Sequence, residues 1–476
     1  MDAINTRFGH LWHTPEQPAT SRLTVYCKAT GVALAALPVC NEQDVPEILA
    51  RAQLGFDIQK ALSAHQRSQQ LQRWYELIIA NSELLARLVT LECGKPLGEA
   101  RAEVSYAAGF VSWFAEQAKR SYGQVIPSAN VAQKLTTIEQ PIGVVFAITP
   151  WNFPLAMITR KVAPAMAAGC SIVLKPSELT PLSAMALWQL AQEAGFAPEA
   201  WQVVHSLDAK GFAAAMCDSA VVRKVTFTGS TAVGRSLMAQ SANTIKRLSL
   251  ELGGNAPFII FASSDLDAAI DALMVAKFRN AGQTCVAANR VLIESPCFDE
   301  FITKLTARVA KLKIGHGLEP DTDLGPLISP AAKATAERRI AEALSEGAVC
   351  HYRAEPLPSP FMAPVILTEV NQAMAIANLE LFAPIITVQR FRSEADAIAI
   401  ANAVPEGLAS YFFSQDMAQV ERVSSQLEYG MVGVNTGLIS NPVAPFGGMK
   451  QSGLGREGAA QGLSEYLETK YLCQQF

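Results

Sequence analysis

The sequence contains few charged residues and no concentration of charge of either sign. Charged residues occupy 17% of its 476 positions, and the formal net charge is −4. No long basic run is present, so the chain lacks the electrostatic feature that attracts nucleic acid or an anionic membrane surface. We therefore expect neither of these as a partner.

Two kinds of apolar segment are also missing. The most apolar region, residues 142–168, is interrupted by three prolines and by Arg160 and Lys161, which argues against a membrane-spanning helix. Residues 1–14 contain no apolar core of the length that a secretion signal needs. We expect a protein that is neither exported nor embedded in a membrane.

The cysteines do not form a disulfide or metal-binding pattern. There are nine, an odd number, and none belongs to a Cys-x-x-Cys pair. This arrangement fits reduced thiols in the cytoplasm better than a disulfide framework, and it gives no support to a metal site.

What the chain does contain is an alternation of strand-like and helix-like segments. Its length exceeds the usual size of one core, so two or three domains are expected. Buried strands alternating with helices predict parallel sheets covered by helices, with ligands at the carboxyl ends of the strands. The pattern predicts helices over residues 67–80, 82–92, 100–120, 155–168, 181–194 and 231–242. It predicts strands over residues 134–139, 143–148, 171–174, 201–204, 225–227, 258–261, 291–294, 365–367, 385–391, 410–414 and 431–434. Two α/β domains should therefore meet near residues 252–256.

One cysteine stands apart from the others. Cys285 lies in the small, polar, glycine-containing segment of residues 278–290, directly after an apolar helix-like run. A thiol at the end of an element can be exposed, and nearby backbone N–H groups favour its thiolate form. A buried structural cysteine is the alternative, and for an isolated cysteine it is the more common one.

A single carboxylate interrupts an apolar run upstream of this segment. Glu251 follows Leu-Ser-Leu and precedes Leu-Gly-Gly at the end of a strand-like stretch. A carboxylate in such a run is either paired with a cation or a general base with a raised pKa.

Together these segments resemble the motifs of the NAD(P)-dependent aldehyde dehydrogenase superfamily. The Glu-Leu-Gly-Gly and Gly-Gln-x-Cys motifs are present at Glu251 and Cys285, and the resemblance covers nearly the whole chain. It implies that Cys285 is the nucleophile and Glu251 the base. It also implies two doubly wound α/β domains, a Rossmann-like cofactor domain (residues 1–121 and 142–250) and a catalytic domain (251–450). A small β oligomerisation element (122–141 and 451–476) would join chains into a homodimer or homotetramer.

The cofactor is expected at the strand ends of the first domain. Residues 227–234, Phe-Thr-Gly-Ser-Thr-Ala-Val-Gly, follow a strand and open a helix, where N–H groups attract a pyrophosphate; an ordinary turn fits this pattern equally well. Glu178, placed by the resemblance at the adenosine ribose, favours NAD over NADP because a carboxylate repels a 2′-phosphate. By family match, the cofactor-binding residues are Trp151, Lys175, Glu178, Gly229, Ser230, Gly234, Glu380 and Phe382.

Two positions depart from the family pattern at the cofactor site. Ala383 replaces the usual glycine after Phe382, and residues 203–206, Val-Val-His-Ser, lack the usual glycine after the second strand. The second departure predicts a reshaped adenine pocket.

Asn152 lies in Pro-Trp-Asn-Phe-Pro, after the strand predicted over residues 143–148. An isolated Asn there would more commonly cap the next helix. The family match instead makes its amide, with the N–H of Cys285, the donor to the oxyanion of a thiohemiacetal. Hydride transfer to nicotinamide then leaves a thioester, which water activated by Glu251 hydrolyses.

Three further residues suggest the substrate. Arg160, Arg290 and Ser440 match the residues that hold the substrate carboxylate in succinate semialdehyde dehydrogenases. Two guanidinium groups suit an ω-carboxylate through bidentate bonds, although either arginine could instead form a structural ion pair. We predict oxidation of succinate semialdehyde to succinate, with glutarate semialdehyde, 2-oxoglutarate semialdehyde or a general aldehyde as alternatives. A thioesterase without redox activity and a non-catalytic relative are the competing classes. The cofactor loops argue against the thioesterase, and the intact site residues argue against the non-catalytic relative.

Overall fold

The structure, a computed structural model, describes residues 1–13 and 22–476. No helix among them is long and apolar enough to cross a membrane. The helices, α1 to α15 in chain order, are Asp2–Phe8, Val45–Ala61, Ala64–Ala80, Ser82–Cys93, Leu97–Gln117, Ala156–Ala168, Leu182–Glu193, Ala209–Asp218, Thr231–Ser241, Leu266–Phe278, Phe298–Val309, Pro330–Ser345, Glu394–Asn402, Met417–Gln426 and Ala459–Ser464. The strands, β1 to β20, are Arg22–Tyr26, Ala33–Pro38, Val125–Ile126, Gln133–Pro141, Val144–Ile148, Ser171–Lys175, Trp201–Val203, Val222–Thr228, Arg247–Glu251, Ala256–Ile260, Ala288–Glu294, Val349–Arg353, Val365–Thr368, Ile385–Phe391, Glu406–Gly407, Ala409–Phe413, Met431–Val434, Met449–Lys450, Gly453–Leu454 and Leu467–Gln475.

Six strands form the sheet of the first domain, in the order β19-β9-β8-β5-β6-β7. The pairs from β9 to β7 are parallel, and β19 adds to β9 in the antiparallel direction. Strands β5 and β6 are almost entirely buried, as parallel strands between two layers of helices must be. The predicted α/β fold is confirmed in this domain.

Helix α6 is unusual in that every one of its residues is buried. It packs against α5 and α3 and ends at Gly169, whose φ of 96° is the left-handed conformation that favours glycine at a helix end. The buried helix nevertheless carries Arg160 and Lys161. Two buried cations require anionic partners inside the protein, and those partners lie at the candidate site described below.

Seven strands form the second sheet, in the order β12-β13-β14-β11-β10-β16-β17. All neighbours are parallel except the edge pair β12 and β13. Buried apolar residues pack on this sheet in three clusters, centred on residues such as Phe258, Ile385 and Phe412. This is the second of the two predicted α/β domains.

The third sheet has the order β20-β4-β3 and is exposed. Within the segment 451–476, which was predicted to be an oligomerisation element, only β20 joins this sheet. Strand β19 pairs instead with β9 of the first domain, and α15 packs on α5 and α6. The close pairing depends on Gly453, where a Cβ atom would lie 1.9 Å from the carbonyl oxygen of Leu250.

Candidate active site

Four neighbouring strands of the first sheet carry predicted site residues at their carboxyl ends, so that these residues lie along one edge of the sheet. Asn152 follows β5, Lys175 is the last residue of β6, Gly229 follows β8 and Glu251 is the last residue of β9. Cys285 comes from the second domain, between α10 and β11. Between the domains lies a cavity of about 260 Å³, lined by Pro150, Trp151, Asn152, Met157, Thr228, Gly229, Ser230, Glu251, Leu252, Gly253, Cys285, Glu380 and Phe382.

Cys285 and Glu251 are in direct contact in this cavity. The Sγ atom of Cys285 lies 3.9 Å from an Oε atom of Glu251. Burial raises the pKa of Glu251 to about 7, and burial together with the charge of Glu251 raises the pKa of the Cys285 thiol. The second carboxylate oxygen of Glu251 is buried and accepts no hydrogen bond from the described residues. Glu251 can therefore exchange a proton near neutral pH, either with the thiol or with a water molecule.

Asn152 is buried beside these two groups. Its Nδ2 atom donates a hydrogen bond to the carbonyl oxygen of Gln283, two residues before Cys285, at 3.1 Å. An amide nitrogen carries two hydrogens, so one remains for a further acceptor. The arrangement fits a donor to an oxyanion that forms at Cys285.

Five of the predicted cofactor residues line the same cavity: Trp151, Gly229, Ser230, Glu380 and Phe382. The rings of Trp151 and Phe382 meet edge to face, 5.9 Å apart. The carboxylate of Glu380 accepts a hydrogen bond from the backbone of Gly254 at 3.1 Å, and burial raises its pKa to about 8. Ser230 caps α9, whose other first-turn N–H groups are available to a phosphate. This set of donors and acceptors fits a dinucleotide.

The other three predicted cofactor residues lie outside this cavity. Lys175 is buried, and its Nζ atom lies 3.9 Å from the half-exposed carboxylate of Glu178. Gly234 lies inside α9, where a Cβ atom would be 2.5 Å from the side chain of Leu252. That contact gives Gly234 a packing role in bringing α9 close to the end of β9.

Arg160 contacts the base directly. Its guanidinium group lies 3.5 Å from Glu251, forms a close ion pair with Glu457, and lies 4.4 Å from the centre of the Phe446 ring. The neighbouring Lys161 also pairs with Glu457. The charge of Arg160 is therefore largely balanced by two carboxylates within the protein.

The prediction that Arg290 binds substrate is wrong. Its side chain is fully buried in β11, and it donates hydrogen bonds to the backbone carbonyls of Asn255 (3.0 and 3.2 Å), Ile400 (2.8 Å) and Ala401 (2.9 Å). It also donates to the hydroxyl of Tyr429 at 2.9 Å. With these donors satisfied, the guanidinium group links the start of β10 to α13 and has no access to the cavity.

A different arginine, missed in the sequence, lies close to Cys285. Arg279 directly follows α10, six residues before Cys285. It is half-buried, and it forms neither a hydrogen bond nor an ion pair with any residue that the structure describes; its guanidinium lies 5.2 Å from the centre of the Phe153 ring. Its charge lowers the pKa of Cys285 against the larger effect of burial. The signal in the sequence was a cation directly after the apolar helix, but Lys277 in the last turn of α10 shares that signal.

Ser440 lies near Tyr106, a half-buried tyrosine with a buried hydroxyl group that is also close to both arginines. Burial raises the pKa of the Tyr106 hydroxyl, whereas Arg160, Arg279 and Ser440 act in the opposite direction. Arg160 and Arg279 both also act on Cys285. We refer to Tyr106, Arg160, Arg279 and Ser440 as the Tyr106 cluster. Within it, Arg279 is the cation that forms no ion pair with a described residue; its charge acts only at longer range on the buried carboxyl group of Glu99, where it opposes the rise in pKa that burial causes.

Metal chemistry has no candidate site in the described ranges 1–13 and 22–476, where no three His, Cys, Asp or Glu side chains are grouped so that they could hold a metal ion.

Comparison with known proteins identifies the family of the chain. The sequence model of the aldehyde dehydrogenase family matches residues 12–472. The chain is 50% identical over 447 residues to the glutarate-semialdehyde dehydrogenase of Pseudomonas aeruginosa, covering 94% of this chain and 92% of that protein. It is 48% identical over 447 residues to the NADP(+) succinate-semialdehyde dehydrogenase of Escherichia coli, with 94% and 92% covered. The crystal structure of succinate-semialdehyde dehydrogenase from Burkholderia pseudomallei is similar with a TM-score of 0.94 at 47% identity, covering 96% of this chain and 95% of that one. The chain therefore belongs to the aldehyde dehydrogenase family, whose members are oxidoreductases that use NAD or NADP.

Proposed function

We propose that this protein oxidises an aldehyde with a distal carboxylate to the corresponding diacid, with succinate semialdehyde as the first candidate and NAD as the preferred cofactor. The observation that carries the proposal is Arg279, a half-buried cation that acts on Cys285 and forms neither an ion pair nor a hydrogen bond with the described residues. A carboxylate on the substrate would supply an ion-pair partner.

The reaction begins at Cys285, beside Glu251. The thiol loses its proton to water, and the sulfur adds to the carbonyl carbon, so that the carbonyl oxygen becomes an oxyanion. The free hydrogen of Asn152 Nδ2 and the backbone N–H of Cys285 stabilise this oxyanion. A nicotinamide cofactor would be held by the residues that line the cavity, among them Trp151, Glu380 and Phe382, and would supply the acceptor for the hydride that leaves the same carbon. Cys285 is then held as a thioester, Glu251 takes a proton from water, and the resulting hydroxide displaces the thiolate to release the acid.

The Tyr106 cluster binds the negatively charged carboxylate of the substrate. Arg160 already faces Glu251 and Glu457, so Arg279 supplies the unbalanced positive charge. A charge-assisted hydrogen bond contributes about 1.5–3 kcal/mol, which corresponds to about 10- to 100-fold in binding. Ser440 and Tyr106 add hydroxyl groups that can donate to the same carboxylate.

The preference for NAD rests on Glu178. Its carboxylate lies 3.9 Å from Lys175 at the end of β6, where the adenosine ribose is expected. A 2′-phosphate would be repelled there. Since the Glu178 side chain is 52% exposed, solvent and salt screen this repulsion, and we expect a preference rather than exclusion of NADP.

Glutarate semialdehyde is the second candidate substrate, because the relative from Pseudomonas aeruginosa is named a glutarate-semialdehyde dehydrogenase. One methylene group changes binding by only about 1–3 kcal/mol, so chain length must be measured. The test is kcat/KM, followed by NADH absorbance, for succinate, glutarate and 2-oxoglutarate semialdehydes, with butanal as the neutral control. If kcat/KM for butanal equals that for every semialdehyde, the protein is a general aldehyde dehydrogenase and the proposed substrate class is wrong.

The same proposal includes a homo-oligomer in the cytoplasm. The exposed sheet β20-β4-β3 carries apolar side chains in contact with solvent, including Val125 (77% exposed) and Tyr471 (57%). An edge of this kind is usually paired or covered. Light scattering coupled to gel filtration would give the chain number, and a monomer at micromolar concentration would contradict the proposal.

A further inference from the structure

Three donors converge on the backbone carbonyl of Asn152. Lys95 Nζ lies 2.7 Å from this oxygen, Asn280 Nδ2 3.1 Å and Cys93 Sγ 3.7 Å. All four residues are buried. A carbonyl oxygen has two lone pairs, so its acceptor capacity is fully used. The peptide group between Asn152 and Phe153 is thus held from three directions.

The strongest of these donors is itself anchored. Lys95 forms an ion pair with Glu103 at 2.6 Å, and both side chains are completely buried. The other carboxylate oxygen of Glu103 accepts hydrogen bonds from the backbone N–H groups of Leu155 (2.8 Å) and Ala156 (3.3 Å). Those groups open α6, where a carboxylate is favourable. One ion pair therefore fixes the Asn152 loop at its centre and at its end.

Asn280 brings the Cys285 loop to the same carbonyl. It lies five residues before Cys285 and has the left-handed φ of 51°, a conformation that Asn tolerates better than most residues. Its backbone N–H donates to Glu99 at 2.7 Å. Gln283, in the same loop, accepts the side-chain hydrogen bond of Asn152 at 3.1 Å. The two loops that carry the oxyanion donor and the nucleophile are thus joined at one peptide group.

We infer that Lys95, Glu103 and Asn280 form a clamp between the two domains, which positions the Asn152 amide against Cys285. This inference rests on the proposed function, because it presupposes that Asn152 stabilises an oxyanion. A buried ion pair is expensive in desolvation and often adds no stability, whereas a displacement of about 1 Å at a reacting centre costs about 100-fold in rate. The clamp residues touch neither substrate nor cofactor and act through Asn152.

The direct test is the double variant Lys95→Met with Glu103→Gln, which removes both charges of the buried pair. First-turnover hydride transfer, followed by stopped flow with NAD and succinate semialdehyde, should slow about 100-fold. Alkylation of Cys285 by iodoacetamide and the dissociation constant of NAD should stay within about twofold, because neither depends on an oxyanion. The matched control is Lys119→Met, which breaks an exposed Lys–Glu pair (3.6 Å to Glu116) and should change none of the three.

A first turnover within about threefold of the parent would overturn the inference. So would parallel losses in alkylation and NAD binding, which indicate general disruption. If the double variant does not fold, Asn280→Gly decides: glycine keeps the left-handed backbone but removes the Nδ2 donor. It should slow the first turnover about tenfold with unchanged alkylation, and an unchanged rate contradicts the clamp. If the parent protein transfers no hydride from any aldehyde, both the proposed function and the clamp are refuted. If the parent is active, the results for the variants test the clamp alone.

Discussion

The two ends of the proposed cofactor site, a catalytic end at Cys285 and an adenosine end at Glu178, differ in burial and in charge balance. At the catalytic end, the side chains of Glu251 and Arg160 are 4% and 0% exposed and lie 3.5 Å apart. At the adenosine end, the Glu178 side chain is 52% exposed and 3.9 Å from Lys175. Water and salt screen the second pair but not the first. The loss of activity on removing one charged group should therefore be larger near Cys285 than at Glu178.

The largest effect is expected at Cys285 itself. Cys285→Ser should lower kcat by more than about 1000-fold, because a hydroxyl is a far weaker nucleophile than a thiolate at neutral pH. The dissociation constant of NAD, measured by fluorescence titration, should be unchanged. Turnover within tenfold of the parent would reject Cys285 as the nucleophile.

The next largest effect is expected at Glu251. Glu251→Gln should release about one hydride per chain and then stall, because the thioester forms but is hydrolysed about 100-fold more slowly. In the parent, Glu251 has a pKa of about 7 and must be ionised to accept a proton, so kcat should rise with pH through that value. The Gln variant should lose this dependence. Loss of the initial burst as well would place the main role of Glu251 in activating the thiol.

Two arginines provide a matched comparison within the buried end. Arg279→Ala should raise KM for succinate semialdehyde about 10- to 100-fold and hardly affect butanal, since only the charged substrate loses a bond. Arg279→Lys should recover part of the loss, because it keeps the charge but not the planar fork. Arg290→Ala leaves buried carbonyls without donors, so it should lower the melting temperature and affect both aldehydes alike. If Arg290→Ala instead raises KM only for succinate semialdehyde and Arg279→Ala affects both aldehydes alike, then Arg290 and not Arg279 binds the substrate carboxylate.

The smallest effect is expected at the exposed end. Glu178→Ser should shift the ratio of kcat/KM for NAD over NADP toward NADP by about three- to tenfold, because it removes a screened negative charge near the 2′ position. The shift should shrink as salt increases. A parent that already prefers NADP would contradict the role given to Glu178.

The arginines also show what the sequence could predict. The proximity of Cys285 and Glu251 was implied by the family resemblance and not by the local pattern, because Glu251 ends β9 of the first sheet whereas Cys285 precedes β11 of the second. The position of Arg290 was not predicted, because successive side chains in a strand point to opposite faces. A residue five positions from the nucleophile can face away from it, and nothing in the local pattern of β11 shows which face contains the cavity. Arg279 is separated from its neighbour Lys277 only by the structure, in which Lys277 is buried and donates to Asn289 whereas Arg279 forms no ion pair or hydrogen bond with a described residue.

The elements follow the same logic. The buried strand β5 is an apolar run and was predicted within one residue of its bounds. Strand β12, Val-Cys-His-Tyr-Arg, is mostly exposed and shows no alternation, so its place at the sheet edge depends on pairing with β13. The pairing of β19 with β9 depends on a glycine contact between residues about 200 positions apart, which local reasoning does not reach.

The most direct test of the covalent route to a diacid is to trap its intermediate. Glu251→Gln should be mixed with NAD and succinate semialdehyde, quenched in acid and examined by intact mass spectrometry and peptide mapping. The account predicts one succinyl group per chain, attached to Cys285, in the same amount as the NADH released in the burst. NADH released without an acyl group, or an acyl group on any other residue, would contradict it.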